Sequence, residues 1–185
     1  MKIFIVSASL RKDSLNHKLA THIASVVKAQ GGEADLARMN DFDMPLYNFD
    51  DQQATGIPAA AQALADRITG ADGWIVTTPE FNWSVPANLK NAVDWLSRMQ
   101  PVPLAGRTAM LTSASVSMVG GVRSLLHFRQ SLEVLGVWTY PKLFALAQAN
   151  QAFDDKGGLV NEDLAKMLNG MLADYMSGAA ALNNR

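Results

Sequence analysis

The sequence predicts an α/β fold in which a parallel sheet of five strands carries helices on both faces. Two observations predict it. Short apolar runs of strand type alternate along the chain with segments of helical period, β-α-β-α-β-α-β-α-β-α. No repeat, low-complexity stretch or shift in composition interrupts that order. The 185 residues are therefore expected to form one domain over 1–185 with a sizeable core.

Each element has its own signal. Ile3–Val6 is a β-branched run bounded by serine, the mark of the first strand. Leu15, Leu19, Ile23 and Val26–Val27 recur at three-to-four spacing and predict a helix that ends near Gly31–Gly32. Ala34–Met39 is a weaker strand, and Asp41–Gly56, acidic and aromatic with a proline, reads as a long loop. Ala59–Thr69 is an alanine-rich helix and Gly73–Thr77 an apolar strand. Leu89, Ala92, Val93, Leu96 and Met99 share one helical face. Thr108–Thr112 is the next strand, Val122–Leu135 a helix, and Val137–Leu146 contains the last strand. Leu164, Leu168, Met171, Leu172 and Tyr175 carry the final helix, with Asn161 at its N-cap and Glu162 and Asp163 in its first turn.

Composition excludes several functions. Sixteen basic and seventeen acidic side chains leave a net charge of −1, which gives no basic footprint for nucleic acid and no polybasic membrane patch. The absence of cysteine removes disulfides, zinc-thiolate sites and thiolate nucleophiles. No apolar stretch approaches the roughly 18 residues of a membrane span, and strand-like sequence begins at Lys2, so a cytoplasmic protein is expected. His17 and His22 stand about 140° apart on their helix and cannot share a metal ion. His127 sits in mid-helix with no carboxylate in view, and no G-x-S-x-G elbow exists, so neither metal nor serine-hydrolase chemistry is expected.

In sheets of this kind ligands bind beyond the carboxyl ends of the strands. That rule selects Ser7–Asn16, Thr78–Ala87 and Ser113–Gly121. The first, SASLRKDSLN, brings hydroxyls and Arg11 to a helix N-terminus without the P-loop or dinucleotide glycine pattern. It reads equally as a phosphate cradle or as a Ser-capped helix with a solvated Arg–Lys pair. The third, SASVSMVGG, is either a flexible turn or a place where paired glycines let a ligand approach backbone. In the middle loop, PEFNWSVPA, Pro79 and Pro86 stiffen a segment holding Phe81, Asn82 and Trp83. Its aromatics either edge a planar ligand or cap a core or subunit contact.

Taken in order, SASLRKDSLNHKLA, PEFNWSVPANLKNAVDWLSR and SASVSMVGGVRSLLHFRQSL resemble the signature segments of the NADPH-dependent FMN reductases, flavodoxin-like reductases of quinones, azo dyes and chromate. The most specific is P-E-[YF]-N followed by S-x-P and L-K-N-A-x-D-W. The resemblance implies a flavodoxin-like three-layer α/β/α fold of strand order 2-1-3-4-5 with FMN bound non-covalently. It implies that Ser9, Arg11, Ser14 and Asn16, with Leu15 backbone, hold the phosphate. Pro79, Glu80, Phe81 and Asn82 would border the isoalloxazine, and Ser115 would reach the flavin from the third loop. Ala8, Phe81, Ala87 and Ser117 depart from the family's commoner Gly, Tyr, Gly and Gly. Phe81 keeps a ring but carries no hydroxyl to donate a proton.

The expected activity is ping-pong hydride transfer from NADPH or NADH, through FMN, to a small-molecule acceptor such as a quinone or free flavin, with no side chain named as catalytic acid or base. The rival expectation is a flavodoxin-type electron carrier that docks to partner proteins, for which a net charge of −1 supplies no acidic docking face. A homodimer or homotetramer is expected, with Trp83, Trp95 and the Val122–Leu135 helix near the subunit contact and Arg123, His127 and Arg129 in its polar rim.

Overall fold

A computed structural model describes residues 1–183. Strands β1 (Lys2–Ser7), β2 (Glu33–Arg38), β3 (Gly73–Thr77), β4 (Thr108–Ala114), β5 (Trp138–Thr139) and β6 (Phe144–Leu146) form one parallel sheet. The order is β2-β1-β3-β4-β5, with β6 also on β4. This is the flavodoxin-like order that the sequence implied. Helices α1 (Leu15–Ala29) and α6 (Glu162–Asn183) pack on one face with Ile3, Ile5, Ile75 and Met110. Helices α3 (Ala59–Thr69), α4 (Ala87–Leu96) and α5 (Val122–Glu133) cover the other, against Phe4, Val6, Trp74, Val76 and Leu111. The middles of the central strands, Ile3–Val6, Trp74–Val76 and Ala109–Leu111, are apolar on both faces because both are buried, as parallel sheets require.

The last strand is broken. Trp138–Thr139 pairs with Thr108–Ala109 and Phe144–Leu146 with Thr112–Ala114; Tyr140 N still donates to Ala109 O at 2.7 Å, and residues 141–143 leave the ladder. Pro141 has no N–H to donate there. The Arg129 guanidinium takes up the carbonyls freed by the break, donating to Tyr140 O at 3.1 Å and Pro141 O at 3.3 Å.

Two expectations are corrected here. The segment 41–56 is not all loop: a 3₁₀ turn spans Met39–Phe42 and helix α2 spans Phe49–Thr55, with Asn48 Oδ1 capping it by accepting Asp50 N at 3.0 Å. Helix α2 buries no residue, so it left no apolar period to read. Trp95, expected near a subunit contact as exposed surface, is 0% exposed. Its ring meets Tyr47 edge-on at 5.0 Å and its Nε1 donates to Pro45 O at 2.8 Å, so the acidic loop folds over it. Asn91 helps to hold that loop, accepting Tyr47 N at 2.7 Å and donating to Pro45 O at 2.9 Å.

At the amino end of the sheet Tyr175 of α6 joins two strands. Its hydroxyl accepts Trp74 N at 2.8 Å and lies 3.1 Å from the carbonyls of both Trp74 and Thr108. Gly73 makes room for it, since a Cβ there would stand 2.6 Å from the phenol oxygen. Burial pushes the phenol well above its ordinary pKa. Tyr175→Phe keeps the ring but leaves the Trp74 N–H without its partner. Urea unfolding should show a loss of about 1–3 kcal/mol, through a lower midpoint at unchanged slope; an unchanged midpoint would contradict the account.

Candidate functional site

The carboxyl ends of β1, β3 and β4 present three loops on one edge of the sheet, over 8–14, 78–86 and 115–121. Their relative placement rests on Asn16, in the first turn of α1. Its Nδ2 donates to Ala114 O at 2.9 Å while its Oδ1 accepts Ala114 N at 2.9 Å. Its own carbonyl accepts the Thr77 hydroxyl at 3.0 Å. One buried residue thus ties the helix start to the ends of β3 and β4. The first loop is braced further by Asn88 Nδ2, donating to Ala8 O at 2.8 Å, and by the Arg38 guanidinium, donating to Arg11 O.

The first loop delivers donors that have no acceptor of their own. Ser14 is the N-cap of α1, its Oγ accepting His17 N at 3.1 Å, which leaves its hydroxyl proton free to donate. Among the described residues, the N–H groups of Leu15 and Asn16, the Ser9 hydroxyl and the Arg11 guanidinium have no protein partner. Unpaired N–H groups and the helix dipole favour an anion there. A phosphate monoester fits that donor set, and of the two readings of this loop the cradle is the one these free donors favour. Asn16 lines the same cavity, but its amide is engaged with Ala114 and therefore acts chiefly to hold the cradle in place.

The second loop is a tight hairpin. Phe81 and Ser84 exchange backbone hydrogen bonds of 3.0 and 2.9 Å, and between them Asn82 (φ 49°) and Trp83 (φ 66°) are both left-handed. That is the pattern of a type I′ turn, which normally takes Asn-Gly. Tryptophan at the second position costs roughly 1–2 kcal/mol. The neighbouring helix restrains it: the Arg123 guanidinium lies 3.9 Å from the Trp83 ring centroid. Arg123 also pairs with Glu80, Nη1 to Oε1 at 3.0 Å and backbone N to Oε2 at 2.9 Å. Ser84 Oγ meets His127 Nδ1 at 3.1 Å. Arg123, expected in the rim of an interface, is thus the partner of the second loop. The Phe81 N–H is engaged in the turn, whereas those of Glu80 and Asn82 have no acceptor among the described residues.

The paired glycines of the third loop serve the chain rather than a ligand. Both have positive φ, and a Cβ on Gly120 would meet the Ala145 backbone at 2.6 Å. The loop lies against β6, Ser115 N donating to Leu146 O at 3.0 Å and Ala149 N to Ser115 O at 2.9 Å. The Ser115 hydroxyl accepts Ser117 N at 3.2 Å.

Between the three loops lies a cavity of about 210 Å³ lined by Ser9, Arg11, Ser14, Leu15, Asn16, Pro79, Glu80, Phe81, Ala114, Ser115 and Val116. Every residue named from the sequence lines it except Asn82, which stands at the tip of the hairpin. Ala114 and Val116 were missed, since they contribute through backbone position and shape, which leave no compositional sign. A cavity of about 310 Å³ at the other end of the sheet, near Trp138 and Tyr140, has Asp174 as its charged lining group and offers no cationic side chain in its lining. No three His, Cys, Asp or Glu side chains gather to hold a metal ion among the described residues.

A parallel sheet of this order with an anion cradle and an aromatic-edged hairpin at its carboxyl edge defines a flavodoxin-like flavoprotein. Residues 1–151 match the family model of the NADPH-dependent FMN reductases, and the chain belongs to that family. It is 35% identical over 177 residues to a quinone reductase of Escherichia coli, covering 95% of this chain and 93% of that one. It is 33% identical over 169 residues to an NAD(P)H-dependent FMN reductase of Pseudomonas aeruginosa, covering 91% and 89%. Among solved structures it resembles FerB, a flavoenzyme NAD(P)H:(acceptor) oxidoreductase of Paracoccus denitrificans, at 28% identity and a TM-score of 0.84 over 97% of each chain. The protein is an oxidoreductase with FMN as its flavin and NAD(P)H as its electron donor.

If Arg11 meets the phosphate, Arg11→Ala should weaken FMN binding by about 1.5–3 kcal/mol, the worth of a charged hydrogen bond. Riboflavin, which has no phosphate, should bind almost unchanged. Fluorescence titration with both flavins checks this, and equal losses would assign Arg11 to folding instead.

Proposed function

We propose that the whole chain acts as one FMN-carrying domain that reduces quinones and other small planar acceptors with NADPH or NADH. The observation that carries this reading is the meeting, in one cavity, of unpartnered donors at a helix N-terminus and a rigid aromatic hairpin. FMN when bound supplies the redox chemistry, accepting hydride from the nucleotide and passing two electrons on. The protein binds and orients. Ser9, Arg11, Ser14 and the N–H groups of Leu15 and Asn16 hold the phosphate. Pro79, Glu80, Phe81 and Ser115 border the ring, and the free N–H group of Glu80 favours negative charge at its edge. No side chain is needed as nucleophile. Phe81 is 54% exposed, which supports a ring with one face open to nucleotide and acceptor in turn.

The purified protein should bind FMN. It should oxidise NAD(P)H with a quinone when no partner protein is present, giving the parallel double-reciprocal lines of a ping-pong enzyme. FMN binding without such turnover would favour the electron-carrier reading, and failure to bind FMN would end both. No helix among the described residues is long and apolar enough to cross a membrane. Reduced nicotinamide nucleotides are kept inside cells, and on that ground we place the activity in the cytoplasm.

We further propose a homodimer or homotetramer. Trp83, 66% exposed, stands with exposed Phe81, Val116, Met118 and Leu126 on the loops and helix around the cavity. Exposed apolar surface of this kind marks an interaction site. A second copy seated there would wall the pocket and narrow the choice of acceptor. Light scattering at micromolar concentration tests it: a monomer mass with full activity would defeat the oligomer.

A further inference from the structure

We propose that Arg123 is a positioning residue for the acceptor side of this site, setting where the Phe81 ring stands and thereby which acceptors reach the flavin. The inference rests on the reading that the cavity holds FMN and serves quinones.

Glu80 and Trp83 flank Phe81 and Asn82, and Arg123 grips both. One edge of its guanidinium meets Glu80 Oε1 at 3.0 Å, and its flat face covers the Trp83 ring, 3.9 Å from the centroid. Its backbone N–H takes the second carboxylate oxygen at 2.9 Å, in the first turn of α5. The Glu80 side chain is 11% exposed, so this pair is sheltered from much of the solvent screening that weakens surface ion pairs.

Trp83 points the same way. A bulky residue in a left-handed conformation persists only where its surroundings over-determine it. The Trp83 ring is largely exposed, and the Arg123 guanidinium lies over it. The third tether, His127 to Ser84, lies one turn further along α5 on the same face. The hairpin is therefore carried by a single face of one helix, and Phe81, which lines the cavity, moves with it.

Only a planar cation does both tasks. A lysine at position 123 would keep an ion pair with Glu80 but would lose the flat surface that lies on the indole. Arg123→Lys therefore separates placement of the hairpin from simple neutralisation of Glu80. Trp83→Leu removes the other half of the stack, and Trp83→Phe restores a ring for the guanidinium to cover.

The test uses the FMN-loaded protein and compares kcat/KM for 1,4-benzoquinone with that for a two-ring naphthoquinone. The ratio of the two should change by about tenfold in Arg123→Lys and in Trp83→Leu, a typical worth of altered pocket fit. The change should lie in the acceptor KM and not in kcat, and Trp83→Phe should return the ratio toward wild type. Visible circular dichroism of the bound flavin reads the ring's surroundings without turnover and should differ from wild type in the same two variants. Measurements are made where light scattering gives each variant the wild-type mass, which separates the effect from assembly. A wild-type ratio and wild-type dichroism in both variants would overturn the proposal, as would an equal loss toward both quinones. A wild-type protein that binds FMN but reduces no quinone would count against the acceptor reading, and the dichroism would then decide the role of Arg123 alone.

Discussion

Asn16 pairs with a strand although it belongs to a helix. Its amide exchanges two hydrogen bonds with the backbone of Ala114, as the next residue of a neighbouring strand would. The pairing is buried, so both groups lack water as an alternative partner and the geometry is held firmly. With the Thr77 hydroxyl on its carbonyl, Asn16 draws the start of α1 against the ends of β3 and β4. The free N–H groups of that helix start face the cavity because of this bond. Aspartate would match its shape but could not donate to the Ala114 carbonyl.

The cradle and the hairpin achieve rigidity by different means. Around 8–14 the restraint comes from outside the loop: Asn88, Arg38 and Asn16 hold its backbone, so its own hydroxyls and guanidinium stay available. In 79–84 it is partly internal, in the paired left-handed residues and the Phe81–Ser84 bridge, and partly borrowed from α5. A loop held from outside can devote its side chains to a ligand. A strained turn instead commits Glu80 and Trp83 to its own support and leaves the ligand mainly Phe81 and backbone N–H groups. This difference leaves the first-loop side of the cavity with side-chain donors and the hairpin side with a ring and main-chain N–H groups.

The buried parts of the fold were legible in the sequence because burial on both faces writes apolar runs, as in Ile3–Val6 and Gly73–Thr77, where the structure places β1 and β3. The first-loop hydroxyls and Pro79–Phe81 stood out by residue type and loop position, and the structure gathers them around one cavity. What escaped depends on contacts between distant segments. Helix α2 buries nothing and had no period to show. Trp95 looks peripheral on its own helix and is enclosed only because Pro45 and Tyr47 fold across it. Gly120 reads as room for a ligand until the Ala145 backbone is found against it. The role of Arg123 could not be seen either, because its partners lie 43 and 40 positions away in sequence.

The broken last strand has a consequence for how copies of this chain meet in a crowded solution. A sheet edge is a row of unpaired donors and acceptors on which another chain can add a strand. Here the β5 side offers two residues, a proline and then three residues, with Arg129 occupying carbonyls at the gap. A foreign strand finds no continuous ladder to extend. The opposite edge, β2, carries Glu33, Asp35 and Arg38 within six residues, and charge at that density discourages edge-to-edge stacking. The chain therefore protects both open sides of its sheet from aggregation, one by interruption and the other by charge.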